Sequence, residues 1–397
     1  MNLPNRGVVF ILVAVALAWA CPALAGEVVE KFDNGKIKVR YKTDTQNRKQ
    51  GLYKEYYESG HTKIRATYKD DQLDGAFVET DDKGRLLKEQ AYRNGFLLYP
   101  NSPRLIKATL DAILAGQPAP AAEPAAAASQ ASPEAYPGAS PDNIKAMRQL
   151  NAYRFLAGVP YDVSLKAEYC DYAYAAADIC DRLGTVNHNP PNPGMTKDEY
   201  EKARFGAGHS NLGVGRPRTS STGVNIDGWV SDSGIPNLGH RRWCLNPAMG
   251  QAGFGAKNTG AAMYAHDGSR KVIPDYDYVA FPARGYMPIS YFKAPSWWWS
   301  VSLNPAKYQA PIKKKIKVTV CPLAPGAAVD LQRKGPPMDL DVLDVDLGPF
   351  GIPNCIMFHP AKAVVENGAR YWVEITGLKK ADGTDAKVEY FVEFLQL

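Results

Sequence analysis

Hydrophobic and polar residues alternate with two different periods along this chain, and the period changes between segments. Over residues 27–99, apolar and polar positions alternate between glycine turns, which is typical of short β-strands. Over residues 104–114, and again over 141–183, apolar residues recur every three or four positions, which predicts helices. From residue 288 the two-residue alternation returns. The pattern therefore predicts strands, then helices, then strands again.

The first strand-rich segment is repetitive, because its glycine and aromatic residues recur 24 positions later. The matched pairs are Gly51 with Gly75, Gly60 with Gly84, and Tyr68 with Tyr92. Each unit has the composition of a strand, a glycine turn and a second strand. This pattern resembles MORN-type repeats, which are short β-hairpins that stack into one sheet. The resemblance implies that residues 26–100 are MORN-like β repeats. The alternative interpretation is a small β-meander that serves as a spacer.

A short helix and a linker follow, over residues 101–141. The residues that would share the apolar face of the helix are Leu105, Ile106, Leu110, Ile113 and Leu114. The stretch from Gly116 to Gly138 is rich in Ala, Pro and Ser and offers few large apolar side chains. Such a composition is typical of a semi-extended linker.

Two longer helices open the next segment, residues 142–287. Ser140 and Pro141 form an N-cap followed by proline at the first helical position. A second helix is predicted from about Ser164 to Leu183, and Gly184 ends it. The final segment, residues 288–397, has strand-like runs broken by Pro and Gly, which predicts a β-sandwich.

Composition and charge narrow the class of protein. The 397 residues are 45% hydrophobic and carry a net charge of +6, with basic residues spread along the chain. This distribution excludes a nucleic-acid-binding footprint. Residues 1–25 have the composition of a signal peptide, with Arg6 before an apolar run and a small-residue cleavage site at its end. We therefore expect an exported protein that is periplasmic, cell-surface or secreted, with no transmembrane span after cleavage.

Five cysteines would remain after cleavage, and export permits disulfides. Cys170 and Cys180 would lie about 15 Å apart on one helix, too far to bond to each other. Cys321 with Cys355 is the pair that we expect, because both lie in one β-rich region. The alternative fate of Cys21 is lipidation instead of removal with the signal peptide.

Four short motifs carry the candidate chemistry, and they occur in the order VNHNPP, HSNLG, WVSD and GHRRW. They contain the five residues of a predicted ligand cleft: His188, Ser210, Asn211, Asp232 and His240. Their order resembles the bacterial branch of the CAP superfamily, which comprises the cysteine-rich secretory, antigen 5 and pathogenesis-related proteins. The resemblance covers residues 143–286 and includes the strings LNAYRFLAGVP and GHRRWCLNPAMGQAGFGA.

The resemblance implies a fold class and a cleft. The class is α+β, with a CAP-type α-β-α sandwich between the MORN-like β-hairpin segment and the C-terminal β-sandwich. In CAP proteins two histidines and two acids face each other across a cleft. Here Ser210 stands where the family has the first acid, and Asp232 is the shorter form of the second.

Three chemistries are open to this set of residues. His188, His240 and Asp232 would make a three-ligand site for a divalent metal such as zinc, although no dedicated metal motif is present. Ser210, Asp232 and a histidine are the residue types of a serine triad. The spacing misses the GxSxG elbow, however, because Gly213 comes one residue late. The third chemistry is binding without turnover.

The leading hypothesis is non-enzymatic binding of an envelope or extracellular ligand, whether lipid, glycan or protein, in the His/Ser/Asp/His cleft. Loss of the acid at position 210 favours binding over catalysis. The alternative is a metal-assisted hydrolase that acts on peptide or cell-wall substrate. Trp297, Trp298 and Trp299 could stack on sugar rings, although alternation along a strand would bury at least one of them.

Overall fold

The computed structural model describes residues 25–119, 135–215, 226–324, 329 and 334–397. Strands contain 36% of these residues and helices 22%. Nearly all of the predicted signal peptide and most of the Gly116–Gly138 linker lie outside the described residues. Within the described ranges, no helix is long and apolar enough to cross a membrane.

The N-terminal segment forms one antiparallel sheet in which each strand pairs with the next along the chain. Its strands are β1 (Glu27–Lys31), β2 (Ile37–Thr43), β3 (Lys49–Tyr56), β4 (Thr62–Lys69), β5 (Gln72–Thr80), β6 (Leu86–Arg93) and β7 (Phe96–Tyr99). The 24-residue repeat appears directly in its register, because Gly51 pairs with Tyr68 and Gly75 pairs with Tyr92. The repeat therefore corresponds to a repeated hairpin, whereas its MORN-type resemblance stays a prediction.

Six α-helices lie in the described residues. They are α1 (Pro103–Ala115), α2 (Pro141–Leu156), α3 (Ala167–Leu183), α4 (Lys197–Gly208), α5 (Ile226–Ser231) and α6 (Gly239–Cys244). The start of α2 confirms the predicted cap, because the Ser140 hydroxyl accepts a hydrogen bond from the Asn143 amide at 3.1 Å. Helix α3 ends at Gly184, which has the left-handed backbone that glycine favours.

A second sheet of four strands carries the candidate residues. Its spatial order is β8 (Ser164–Leu165), β10 (Gln251–Lys257), β11 (Gly260–Tyr264) and β9 (Ser210–Val214). Helix α3 lies so close to one face that a Cβ atom added at Gly253 or Gly255 would fall about 2 Å from its backbone. The other face contributes Phe254 and Met263 to a core that continues into the C-terminal strands.

Two further sheets complete the molecule. One has the order β12 (Tyr278–Phe281), β14 (Trp299–Leu303), β17 (Cys355–Pro360) and β16 (Leu340–Asp346). The other has the order β13 (Gly285–Pro288), β19 (Asp385–Leu395), β18 (Arg370–Lys379) and β15 (Lys317–Leu323). Strands β12 and β13 begin before residue 288 and pair with strands that follow it.

The predicted fold class, an α+β chain centred on a CAP-type α-β-α sandwich, is wrong. The described chain is mostly β, and large antiparallel sheets dominate it. The physical reason lies in the core, because α2 and the second sheet share one hydrophobic cluster with the C-terminal strands. A helical layer does not close off that cluster. Buried Tyr153 of α2, for example, contacts the rings of Phe281 and Tyr291.

Candidate functional site

Asp232 lies at the centre of the candidate site, in the turn between α5 and α6. Its backbone has a φ of +51°, a left-handed conformation that aspartate tolerates better than most residues. The side chain is buried, and both of its oxygens are used. Oδ2 accepts hydrogen bonds from the amides of His240 and Arg241, at 2.9 and 3.2 Å. The carboxylate therefore caps the N-terminus of α6.

The same carboxylate orients the His240 ring. Oδ1 of Asp232 lies 2.7 Å from Nδ1 of His240. Because a carboxylate oxygen accepts, Nδ1 carries the proton, and in the neutral ring the lone pair lies on Nε2. The side chain of His240 is 22% exposed, whereas that of Asp232 is 1% exposed. This buried aspartate thus holds a partly exposed imidazole in one tautomer.

Asn211 joins this pair to the second sheet. Its Nδ2 donates to the carbonyl oxygen of His240 at 3.1 Å, which ties β9 to α6. Ser210 precedes it on the strand, and successive side chains of a strand point to opposite faces. The Ser210 hydroxyl is therefore directed away from α6, and it is buried without a hydrogen-bond partner in the structure. This placement does not assemble a serine triad with His240.

His188 belongs to a different group of side chains. It follows α3 in an exposed loop, and its Nδ1 donates to the carbonyl oxygen of Ala207 at 2.9 Å. His209, which ends α4, bonds through Nδ1 to the carbonyl oxygen of Phe205 at 2.7 Å. The His209 ring lies 5.2 Å from the His266 ring, and His188 bonds to Ala207, two positions before His209. The structure thus groups His188 with His209, which opens the HSNLG motif, and with His266, which lies outside the four motifs.

An aromatic row, formed by Trp243, His266, His209 and Phe205, connects the two groups. The Trp243 ring stacks on the His266 ring with a centroid distance of 4.1 Å. His266 meets His209 edge-on at 5.2 Å, and His209 stacks on Phe205 at 4.2 Å. Trp243 follows His240 by three positions on α6, close to one helical turn. The row therefore begins beside the Asp232–His240 pair.

His266 stays uncharged over most of the pH range. His266 is exposed, but the protein groups around its ring desolvate it and lower its pKa from 6.5 to about 4. Repulsion from His209 and His188 adds to this lowering of the pKa. His266 is consequently neutral near pH 7.

Hydrogen bonds on both sides hold the His266 loop in place. The carbonyl oxygen of His209 accepts from the amides of Ala265 and His266, at 3.0 and 3.3 Å. Oδ2 of Asp267 accepts from the amides of Gly250 and Gln251, at 2.8 and 3.0 Å. The Asp267 carboxylate is buried. These bonds position the loop before any ligand arrives.

Two buried arginines of α6 anchor this helix to the surrounding protein. Arg241 donates to the carbonyl oxygens of Val230, Ser231 and Trp298, at 2.6, 2.9 and 2.7 Å. Desolvation lowers its pKa to about 10, so the guanidinium remains charged at neutral pH. Backbone carbonyl oxygens are therefore the main partners of Arg241.

Arg242 reaches the C-terminal segment. It donates to the carbonyl oxygen of Ile352 at 2.7 Å and to Oδ1 of Asp346 at 2.6 Å. The same loop places Phe350 against Gly239, where an added Cβ would lie 3.2 Å from the Phe350 ring. The C-terminal strands therefore support the helix that carries His240.

The predicted metal set of His188, His240 and Asp232 does not fit this geometry. Both oxygens of Asp232 are occupied by His240 and by backbone amides, so this carboxylate orients the histidine. No group of three or more His, Cys, Asp or Glu side chains within the described ranges is placed to hold a metal ion. The three-ligand zinc hypothesis is therefore not supported by the placement of its residues.

Other candidate residues have structural surroundings. Trp297 and Trp299 are buried, and Trp298 packs near Leu238, so the tryptophan run serves the core. All five described cysteines are buried thiols. Cys321 lies on β15 and Cys355 on β17, in different sheets. Their disulfide stays a prediction that a thiol count on the purified protein can decide.

Comparisons with models of known protein families, with curated proteins and with solved structures found no match to this chain. Function must therefore be argued from the geometry. The residue that the sequence missed is His266, because it lies outside the four motifs, whereas Trp243 lies within GHRRW. Only the pairing of β11 with β9 brings the end of β11, and with it His266, next to His209.

Proposed function

We propose that this chain is an exported protein that binds an envelope or extracellular ligand, without chemical turnover, on the surface formed by His188, His209, His240 and His266. We call this set the histidine surface. The composition of residues 1–25 supports the export part of the proposal. The order of the four motifs, which resembles that of CAP proteins, supports binding at this location.

A shared hydrogen-bonding pattern is the observation that carries the proposal. His188, His209 and His240 each donate Nδ1–H to a protein oxygen, at 2.7–2.9 Å. Each neutral ring therefore keeps its Nε2 lone pair as an acceptor. The protein has fixed three rings in one tautomer, which lowers the entropic cost of using them to bind a ligand.

The same surroundings argue against chemistry as the main role. Covalent catalysis needs a nucleophile within hydrogen-bond reach of its base. The serine of the predicted ligand cleft, Ser210, points to the other face of β9 and is buried. Asp232, which could assist a metal, is already committed to orienting His240. Oriented imidazole acceptors that have neither a nucleophile nor a free metal-binding carboxylate beside them are suited to recognition.

Cosedimentation of the purified full-length protein with two probes tests the proposal. The probes are peptidoglycan sacculi and vesicles of phosphatidylethanolamine with phosphatidylglycerol. We expect the protein to pellet with one of them, and His240→Ala to weaken this binding about tenfold. The matched control is His61→Ala, because His61 is an exposed histidine in the turn between β3 and β4.

Three results would contradict the proposal. The first is binding that His240→Ala and His61→Ala leave equally unchanged, and the second is no binding to either probe. The third is release of soluble wall fragments or cleaved lipid by the wild type, with and without added zinc, that His240→Ala abolishes. The third result would favour the hydrolase alternative.

A further inference from the structure

The aromatic row combines exposed ring surface with polar ring edges. Phe205, at one end, is 43% exposed although phenylalanine is normally buried. His266 is also exposed, and Trp243 and His209 are half-buried. The successive centroid distances of 4.1, 5.2 and 4.2 Å make the four rings continuous. Single exposed apolar residues are common on protein surfaces, whereas a continuous aromatic strip is typical of a binding site.

The polar edges of this row are not used up by the protein. Nδ1 of His209 bonds to the carbonyl oxygen of Phe205, which leaves Nε2 as an acceptor. His266 contributes a second imidazole, and this residue is exposed. Trp243 adds an indole N–H, which is a donor only. Donors and acceptors therefore lie along the edges of the stacked rings.

The row contains no Lys, Arg, Asp or Glu, because its members are Trp, Phe and two histidines, and a lowered pKa keeps His266 uncharged at neutral pH. An anionic ligand such as a phosphate would need a fixed cation in contact. A sterol or acyl chain would need an enclosed apolar pocket. A sugar presents C–H faces that stack on rings and hydroxyl groups that hydrogen-bond at ring edges, and both features match this row.

Resting on the proposed function, we infer that the ligand of the histidine surface is a neutral oligosaccharide. Its pyranose rings would lie along Trp243, His266, His209 and Phe205. Its hydroxyl groups would hydrogen-bond to the imidazole nitrogens, including Nε2 of His240 next to the start of the row. The loop around His266 is already fixed by Asp267 and by the His209 carbonyl, so the row is preorganised for a ligand with rigid rings.

The test titrates the full-length protein with chitohexaose and, separately, maltohexaose, and observes ring contacts by saturation-transfer NMR and affinity by calorimetry. We expect one of the two sugars to bind. Phe205→Leu should weaken that binding about three- to tenfold, because it keeps apolar volume but removes the ring. Phe205→Tyr should retain the affinity. The matched control is Tyr174→Leu, which removes another exposed aromatic side chain, on α3 outside the row.

A pair of substitutions at His266 separates stacking from hydrogen bonding. His266→Phe keeps a ring and should keep most of the affinity, whereas His266→Ala removes the ring and should weaken binding more. Thermal unfolding of each variant checks that the fold is retained. Equal affinities for Phe205→Leu and Tyr174→Leu, or no binding of either sugar at millimolar concentration, would overturn the oligosaccharide inference.

These results are distinguishable from failure of the proposed function. If vesicles bind in a manner that depends on His240 and the two sugars do not, the histidine surface remains a binding site and the oligosaccharide inference fails. If a sugar binds in a manner that depends on Phe205, but His240→Ala changes neither its affinity nor cosedimentation, the aromatic row stands and the role proposed for His240 fails.

Discussion

The N-terminal repeat sheet and helix α6 are built in opposite ways. In the sheet every strand pairs with its neighbour in sequence, and most of its ion pairs lie at the surface, such as Arg85 with Asp81. Helix α6 has six residues, and several of its hydrogen-bond partners lie far along the chain. Arg242 alone bonds to Ile352 and Asp346, more than a hundred positions away.

This difference teaches where the candidate site derives its order. A helix of six residues is not stable alone, because forming its first turn is unfavourable. Hydrogen bonds from its arginines to distant carbonyl oxygens supply part of the missing stabilisation. The repeat sheet needs no such help, because cross-strand pairs between neighbours hold it. Changes near α6 should therefore cost more than similar changes in the sheet, and the following predictions are ordered by the size of that cost.

The largest effect is expected for Arg242→Met. The change leaves Asp346 and the Ile352 carbonyl without their partner, and breaking a buried ion pair costs about 3–5 kcal/mol. Because Asp346 is partly exposed, we expect the lower end of that range. Urea unfolding measures the loss. An unchanged midpoint would show that the C-terminal strands do not support α6.

Asp232→Asn should come next. Asparagine tolerates the left-handed backbone at this position, so backbone strain should not change. The loss of unfolding free energy then measures the contribution of the negative charge. Hydrogen bonds to a charged group contribute about 1.5–3 kcal/mol, and we expect a loss of that size. The His240 ring should also lose its single tautomer. Nitrogen chemical shifts of His240 measure this, and identical shifts in the variant would contradict the orienting role of Asp232.

In the repeat sheet, Gly75→Ala should have the largest effect. Gly75 has a φ of +135°, and an added Cβ would lie 3.0 Å from the Thr67 side chain. Residues forced into such rare conformations cost about 1–3 kcal/mol. Gly84→Ala is the matched control, because its backbone is left-handed but no atom lies within 4 Å of the added Cβ. Equal losses of unfolding free energy in both variants would show that the Thr67 contact is unimportant.

A smaller effect is expected from the titration of His266. Its pKa is about 4 in the folded protein and near 6.5 when unfolded, so between these values the unfolded chain binds the extra proton. Stability contributed by His266 is therefore present above pH 6.5 and is lost as the pH falls towards 4. His266→Phe should reduce the fall of the melting temperature across this window. If the melting temperatures of wild type and variant fell by the same amount between pH 6.5 and pH 4, this assignment would be contradicted.

The smallest effect is expected for Arg85→Ala in the repeat sheet. Its guanidinium is 71% exposed and pairs with Asp81 in a turn. Solvent-exposed ion pairs contribute little, because water and salt screen them. The unfolding midpoint should not change measurably. A loss as large as that of Arg242→Met would remove the contrast between the two regions.

The local elements of this fold could be predicted because their signals are short-range. The Ser140–Pro141 cap and the 24-residue recurrence of glycine and tyrosine each depend on residues close in sequence. The fold class could not be predicted in the same way. Which face of β10 meets α2, and which meets α3, depends on packing between segments that lie far apart.

The candidate site divides along the same line. The four motifs and their resemblance to CAP proteins identified Asp232, His240 and Asn211, and the structure brings these three together. The motifs did not predict that both carboxylate oxygens of Asp232 would accept hydrogen bonds from α6. Asp232 is therefore not available as a metal ligand. Nor did spacing suggest that His188 would lie with His209 and His266.

By itself, then, the sequence determined the hairpin register, the helix caps and the polar residues that meet at the start of α6, because turns, caps and short motifs act over a few positions. Tertiary structure alone decided that the chain is mostly β, that α6 rests on buried arginines, and that an aromatic row runs from Trp243 to Phe205. Each of these depends on burial and ring contacts between distant segments. Their free energy comes from excluding water between surfaces that no local pattern pairs.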